Sequence, residues 1–278
     1  GLTPAHSHVD WEIADRHQLS HEVIVINEIA KMTVAGRLEG KKTTEARDMV
    51  IEWLKGEGLL EKEEDITQNI ATAERTGGII EPLPKLQWFI DVHKEVPGRG
   101  KTLKELVTEP MRSGAIKIVP EYFEKTYFHW VENLRDWCIS RQIWYGHRIP
   151  VWYRGEDIVV GVEPKEDGWM QDEDTLDTWF SSGLWTFSTL GWPEQTADFK
   201  TYHPTDLLET GYDILPFWVM RMILMTEFTI NTIPFKTVYL HGLVRDAQGR
   251  KMSKSLGNNM DPLDVAAKFG ADAARMAL

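Results

Sequence analysis

The chain has 278 residues, of which 42% are hydrophobic and 27% are charged. These figures indicate a soluble globular protein of about two domains and exclude the disordered, collagen-like and disulfide-stapled classes. A net charge of −12 argues against coating nucleic acid by bulk charge but leaves local RNA contact open, and the single cysteine, Cys138, excludes an internal disulfide and a cysteine-rich metal site.

No signal peptide is visible in this sequence, which opens without an initiator Met. Its longest apolar stretch, 214–224, is too short to span a bilayer and is broken by Arg221. The sequence stops inside a helical pattern, so we expect a piece of a longer protein that is soluble and cytoplasmic.

The first part of the chain predicts one strand, one helix and a linker. Residues 23–26 form a short β-rich run, and a helix is expected from Thr44 to Gly56 or Gly58, with Thr43 or Thr44 as its cap. Its apolar positions recur at helical spacing. Residues 61–78 are charged and then glycine-containing, which predicts a linker.

The second part alternates between strands and helices. Helices are predicted at 102–113 and at about 178–189, 214–229 and 262–269. Strands are predicted at 115–119, near Leu207 and at 238–241. Residues 128–153 predict a helix, a turn centred on Gly146 and then a strand, and residues 155–174 predict a β-excursion. This alternation predicts a parallel α/β sheet.

The clearest chemical motif is KMSKS, residues 251–255. Its two lysines, three apart among hydroxyls, form a cationic loop suited to a triphosphate and to the charge of a leaving pyrophosphate. The alternative is a solvated basic turn. The motif follows a predicted strand and precedes a helix capped by Asp261 with Pro262 at its first position, and this context favours a functional loop.

Several segments together resemble the class I aminoacyl-tRNA synthetases, in particular their valine-specific branch. Isoleucine-specific relatives usually carry a GSDQHRGWF-type stretch where this chain has TGYDILPFW. The opening TPAHSHVDWEIADRHQL (3–19) is similar to part of the family's editing domain. The other similar segments are NLRDWCISRQIWYGHRIPVWY (133–153), DTLDTWFSSGLWTFSTLGWP (174–193), ETGYDILPFWVMRMI (209–223), VYLHGLVRDAQGRKMSKSLGN (238–258) and DPLDVAAKFGADAARMAL (261–278).

The resemblance implies an α/β fold of two parts. Residues 1–78 would be the C-terminal part of a β-rich α+β editing domain. Residues 79–278 would be the second half of a Rossmann-like catalytic core with a parallel sheet. The family's HIGH signature lies outside this sequence, and GHRIP at 146–150 is not that signature. The isolated chain is therefore expected to be inactive in adenylation.

The resemblance also implies the residues of the catalytic site. Asp213 would anchor the substrate ammonium, Trp179 and Trp218 would line the side-chain pocket, and Gly211 would be the fourth substrate-binding residue. Lys254 would stabilise the transition state, with Lys251 secondary. The residues that would contact ATP are His241, Gly242, Leu243, Met252, Ser253 and Lys254.

Each of these residues also has a structural alternative. A tryptophan in an apolar run is usually a core residue. Asp213 could cap the helix that follows it, and His241 could be a structural histidine at a strand end.

A hydrolytic site is implied by the opening segment. A pocket for valine cannot strongly reject the isostere threonine, a problem for which valine-specific ligases are the standard illustration. The family pattern T-P-A-H-D-x-x-D is matched here by Thr3, His6 and Asp10, while Ser7 replaces its first aspartate. The substitution leaves the strength of editing open, and Asp10 could alternatively be a turn residue.

The implied activity is that of a valine–tRNA ligase. It would activate valine with ATP and Mg²⁺ to valyl-adenylate, transfer valine to tRNA(Val) and hydrolyse Thr-tRNA. No protein-bound zinc is expected, because no cysteine precedes Gln87. The full-length enzyme would be a monomer without a membrane contact. The alternatives are an isoleucyl or related branched-chain ligase, and a non-catalytic nucleotide- or RNA-binding fragment.

Overall fold

The computed structural model describes residues 2–67, 69–73 and 76–277. Gln68, Glu74 and Arg75 of the predicted linker lie outside the described residues, as does Leu278 at the end of the helical pattern. The chain divides into two compact units, residues 1–86 and 87–278, a boundary later than the predicted 78/79. Within the described part, no helix is both long and apolar enough to cross a membrane.

The first unit contains a 3₁₀ turn (Pro4–His6) and two helices, α1 (His8–His17) and α2 (Thr43–Gly56). Ser7 caps α1 by accepting a hydrogen bond from the backbone N–H of Asp10. The bounds of α2 agree with the prediction. Its cap does not, because Thr43 is already helical and the residue before it, Lys42, makes no side-chain capping bond.

The β-rich character expected of this unit is limited to isolated bridges in its described residues. The strand predicted at 23–26 is wrong, since only Ile26 forms a bridge, to Met32. Val23 and Ile24 are 67% and 45% exposed. The neighbouring segment 31–33 does pair with this run, since the N–H of Thr33 donates to the carbonyl of Val25, but this contact does not extend into a ladder that includes Val23 and Ile24.

The second unit mixes short strands with helices. Its helices are α3 (Leu103–Arg112), α4 (Phe123–Glu132), α5 (Thr178–Gly183), α6 (Trp185–Ser188), α7 (Ala197–Tyr202), α8 (Met220–Ile230), α9 (Pro262–Phe269) and α10 (Ala271–Ala277). Its strands are β1 (Phe89–Ile90), β2 (Glu95–Val96), β3 (Lys101–Thr102), β4 (Lys117–Val119), β5 (Trp137–Cys138), β6 (Ser140–Arg141), β7 (Val151–Arg154), β8 (Asp157–Val160), β9 (Met170–Gln171), β10 (Thr175–Leu176), β11 (Thr205–Gly211) and β12 (Phe235–His241).

The central sheet is parallel, as predicted. Its order is β11-β12-β4, with Gly211 beside His241 at the carboxyl ends of β11 and β12. Apolar side chains of the sheet and of α3, α4 and α8 form one core, in which Leu215, Met222 and Phe235 are fully buried. The predicted β-excursion is the small antiparallel sheet β8-β7-β9.

The segment between β11 and α8 departs from the single predicted helix. It runs as a 3₁₀ turn, Tyr212–Ile214, then a π-helical turn, Leu215–Val219, before α8 begins at Met220. Pro216 lies in the first turn of the π segment, where the backbone N–H that proline lacks has no intrahelical acceptor, so it is compatible with a helical start at this point. Single π turns occur often at functional sites. This one carries Trp218 directly after the turn that holds Asp213.

Candidate functional site

The site is built where β11 and β12 end together. Gly211 pairs in register with His241, and the chain then turns into Tyr212–Ile214 on one side and into Gly242 on the other. In open α/β sheets ligands bind outside the carboxyl ends of parallel strands. The residues expected to bind the substrates therefore follow these two strands directly.

Gly211 allows three of the predicted residues to converge. A Cβ atom built on it would lie 2.8 Å from Oδ1 of Asp213, 3.3 Å from a methyl of Leu243 and 3.6 Å from Cε1 of His241. The first distance is shorter than side chains tolerate. A side chain at this position would therefore displace the Asp213 carboxylate.

Asp213 and the KMSKS loop are joined by an ion pair. Nζ of Lys251 lies 2.5 Å from Oδ2 of Asp213, and the two side chains are 55% and 27% exposed. Among the described residues Lys251 is the only hydrogen-bond or ion-pair partner of this carboxylate, which caps no helix. The structure thus brings together two of the predicted site residues that are far apart in sequence.

The loop before KMSKS is closed by Asp246. Arg245 and Lys251 form an antiparallel bridge, and between them Asp246 accepts hydrogen bonds from the backbone of Gln248 and Arg250 and from the Arg250 guanidinium. The side-chain amide of Asn258, which also donates to Asp246, is the main reason that the pKa of Asp246 is lowered to about 2. These contacts hold the base of the loop closed.

Asn258 also holds the backbone between the two motif lysines. Its Oδ1 accepts from the N–H of Ser253 at 2.9 Å, and its Nδ2 donates to the carbonyl of Lys251 at 3.3 Å. The sequence analysis did not single out Arg245, Asp246 or Asn258. The available signal was the RDAQGR turn, since an aspartate that starts a turn commonly accepts from backbone N–H groups two residues on.

An open cavity of about 760 Å³ lies at the end of β12, lined in part by the predicted ATP contacts His241, Gly242 and Leu243 and also by Arg245. His241 hydrogen-bonds through Nδ1 to the carbonyl oxygen of Gly242 at 2.6 Å, and its Nε2 lies 3.5 Å from a carboxylate oxygen of Glu209. In the neighbouring loop Lys254 is exposed, while Met252 and Ser253 are half-buried.

The two predicted pocket tryptophans lie on neighbouring elements, α5 and the π turn. Trp179 stacks on Phe217 with ring centroids 5.8 Å apart. Trp218 donates from Nε1 to the carbonyl oxygen of Ser182 at 3.1 Å. Both tryptophans are half-buried against the core, so each has a packing role as well as an open face.

The three predicted editing residues belong to the first unit and are considered within it. Asp10 accepts hydrogen bonds from the backbone N–H and the hydroxyl of Thr3, at 2.7 and 3.1 Å. Nε2 of His6 accepts from the N–H of Val25, so Nδ1 carries the proton and donates to the carbonyl of Pro82. Thr3 and Asp10 are thus adjacent, with Asp10 in the first turn of α1, whereas His6 ties three backbone segments together.

The comparison with protein families identifies this fold and motif set. The profile described as "tRNA synthetases class I (I, L, M and V)" matches residues 68–166 and 156–278. The chain belongs to this family. Among solved structures, this class I synthetase chain superposes on Mycobacterium tuberculosis methionyl-tRNA synthetase bound by methionyl-adenylate, with a TM-score of 0.52 and 18% identity over 97% of this chain and 50% of that chain. At that identity the likeness shows the shared fold.

Curated relatives of this class I synthetase chain are named valine–tRNA ligases. The one from Clostridium tetani is 49% identical, with an alignment covering 100% of this chain and 32% of that protein. The one from Bacillus licheniformis is 50% identical over 99% of this chain and 31% of that protein. The chain spans about a third of the length of these relatives.

Proposed function

We propose that the chain is a segment of a valine–tRNA ligase and forms the half of its catalytic site that holds the amino acid and the pyrophosphate leaving group. The supporting observation is the ion pair between Asp213 and Lys251 at the carboxyl ends of β11 and β12. It puts an anchor for an ammonium group directly beside a loop of cations. The names of the curated relatives support valine as the amino acid.

In the proposed reaction, the carboxylate of valine attacks the α-phosphorus of ATP. An O–P bond forms to give valyl-adenylate, the bond to the β-phosphate oxygen breaks, and pyrophosphate leaves with the electron pair. Asp213 binds the valine ammonium, while Lys254 and Lys251 offset the negative charge that develops on the leaving group. Mg²⁺ bound to ATP neutralises further charge. A ribose hydroxyl of tRNA(Val) then takes the valyl group and releases AMP.

Discrimination against threonine is proposed to need two sites. Trp179 and Trp218 form an apolar wall for the isopropyl group, which cannot strongly reject an isosteric hydroxyl. In the first unit, the adjacent Thr3 and Asp10 supply a hydroxyl and a carboxylate for a misacylated threonyl group. His6, with both ring nitrogens bonded to backbone, positions this segment.

A chimera tests the activity. The chain replaces the matching segment of the Clostridium tetani ligase, and ATP–pyrophosphate exchange is measured with valine, isoleucine and threonine. We expect valine-dependent exchange, and a loss of about 10²–10³-fold in its rate for Lys254→Ala with the fold retained. If isoleucine supports faster exchange than valine, the chain is instead a segment of an isoleucyl-tRNA ligase. A folded chimera without exchange would favour a non-catalytic nucleotide- or RNA-binding segment.

A further inference from the structure

The amino-acid anchor is occupied by a group of the protein itself. Nζ of Lys251 is a primary ammonium, the same group as the one that Asp213 would bind in an amino acid. It lies 2.5 Å from Oδ2 and donates a charge-assisted hydrogen bond to this carboxylate, as the ammonium of an amino acid would. Oδ1, the other carboxylate oxygen, faces Gly211 and is 2.8 Å from where a side chain would begin. One side of Oδ1 is therefore closed by the backbone of Gly211, and Lys251 occupies Oδ2.

From this we infer that Lys251 is a specificity-determining residue: its ammonium competes with the substrate ammonium for Asp213, so that binding of an amino acid releases the Lys251 side chain of the KMSKS loop. The inference rests on the proposed function for the identity of the amino acid. It assigns Lys251 a role before the chemical step, in addition to any contact with the leaving group.

The exposure of the pair makes such an exchange feasible. With side chains 55% and 27% exposed, the two charges remain in contact with water, and pairs of this kind are worth little. A ligand that forms the same hydrogen bond and adds apolar contacts can therefore displace the lysine at low cost. A ligand without an ammonium cannot replace the interaction with Asp213, so it leaves Lys251 in place.

The loop is built to use the released lysine. Asn258 holds the carbonyl of Lys251 and the N–H of Ser253, so the backbone between the motif lysines stays in place while the Lys251 side chain moves. Lys254 is already exposed in the 3₁₀ turn that follows. Release of Lys251 would then leave two free cations on one short loop, ready for the phosphates of ATP, only after the ammonium site is filled.

Valine affinity of this chain is the first measurement. It is determined by calorimetry for the unmodified chain, Lys251→Met and Asp213→Asn. Because Lys251→Met removes the competitor, we expect valine to bind about 1.5- to 5-fold more tightly, the range that corresponds to an exposed ion pair. Asp213→Asn should weaken binding. The matched control is Lys236→Met, which breaks the exposed ion pair with Asp206 and should leave valine affinity unchanged.

Trypsin cleavage after Lys251, relative to cleavage after Lys254, is the second measurement. Trypsin needs the free lysine side chain, so the ratio should rise with valine and with isobutylamine, which keeps the ammonium, and not with isovalerate, which lacks it. Asp213→Asn should raise the ratio without ligand.

The two measurements separate the possible failures. Valine binding that Lys251→Met leaves unchanged, with a constant cleavage ratio, overturns the inference and leaves the proposed function standing. If valine binds to none of the folded variants, this half of the site does not hold valine by itself, and valine-dependent exchange by the chimera decides whether the proposed function stands. The isobutylamine arm then decides whether an ammonium still displaces Lys251, and a constant ratio there overturns the inference as well.

Discussion

Two networks of charged side chains in the second unit differ in how deeply they are buried. One centres on Asp177, which accepts from Nε1 of Trp137 at 2.9 Å, pairs with Arg141 at 2.9 Å and caps α5 through the N–H of Trp179. Its side chain is 8% exposed, against 27% for Asp213 in the pair with Lys251. Each network lies next to a residue proposed to contact valine.

The difference indicates which part of the site is fixed and which part moves. A buried carboxylate that loses its partners keeps the full cost of its desolvation, so the Asp177 network must stay intact to hold α5 and Trp179 in place. An exposed pair can exchange partners with water or with a ligand at little cost. The proposed wall for the amino acid is thus built beside the buried network, and the proposed loop for the leaving group beside the exchangeable one.

The largest effect is expected when the buried network is broken. Asp177→Ala leaves the buried N–H of Trp137 without its acceptor and removes the cap of α5, and we expect it to lower the free energy of unfolding by about 2–4 kcal/mol. Urea denaturation measures this. Asp206→Ala removes the carboxylate of an exposed ion pair and should stay within about 0.5 kcal/mol. If the two substitutions lower the free energy of unfolding equally, burial does not distinguish the Asp177 network from the exposed ion pairs.

A smaller effect is expected at Arg221, on the same network. Its guanidinium lies 3.9 Å from the centroid of Trp137, and burial lowers its pKa to about 10 while the Asp177 charge acts in the opposite direction. Arg221→Met removes the cation–π contact, so we expect a loss of about 1–2 kcal/mol in urea denaturation. An unchanged free energy of unfolding would show that burial of this charge offsets its contact with the ring.

The exposed network should respond locally and not globally. Asn258→Asp places a second carboxylate against Asp246, so we expect cleavage by trypsin after Lys251 and Lys254 to rise about fivefold with unfolding unchanged. The swap Asp246→Asn with Asn258→Asp restores an amide–carboxylate pair and should bring the rate back toward that of the unmodified chain. If trypsin cleaves the double variant as fast as Asn258→Asp, the pair of Asp246 and Asn258 does not close the loop.

The pH response of the loop is the smallest and most specific effect. The pKa of Asp246 is lowered from its ordinary 3.8 to about 2, so its stabilising contacts are complete above pH 3.8 and are lost as the pH falls through about 2. NMR of the Asn258 side-chain amide should follow that course. Asp246→Asn should abolish it. A transition at the ordinary pKa of an aspartate would mean that the contacts do not persist in solution.

The fold and the site were predictable to different degrees. The helix from Thr43 to Gly56 and the parallel pairing of the later strands follow from periodicity and from the alternation of elements. The strand at 23–26 failed because local β-propensity carries no information about a partner. The helix predicted over 214–229 differs at its start, where a 3₁₀ turn and a π turn precede α8, because apolar periodicity alone does not distinguish these turns from an α-helix.

Sequence alone established the family resemblance, the cationic loop and the types of residue at the site, because these depend on side-chain chemistry and local spacing. Tertiary structure decided which groups meet: Asp213 with Lys251, Asp246 with Asn258, and Gly211 with the residues that crowd it. The physical reason is that burial and long-range contact determine the strength of a charge interaction. Burial and long-range contact cannot be read from the order of residues. Together they distinguish the buried network of Asp177 from the exposed pair of Asp213 and Lys251.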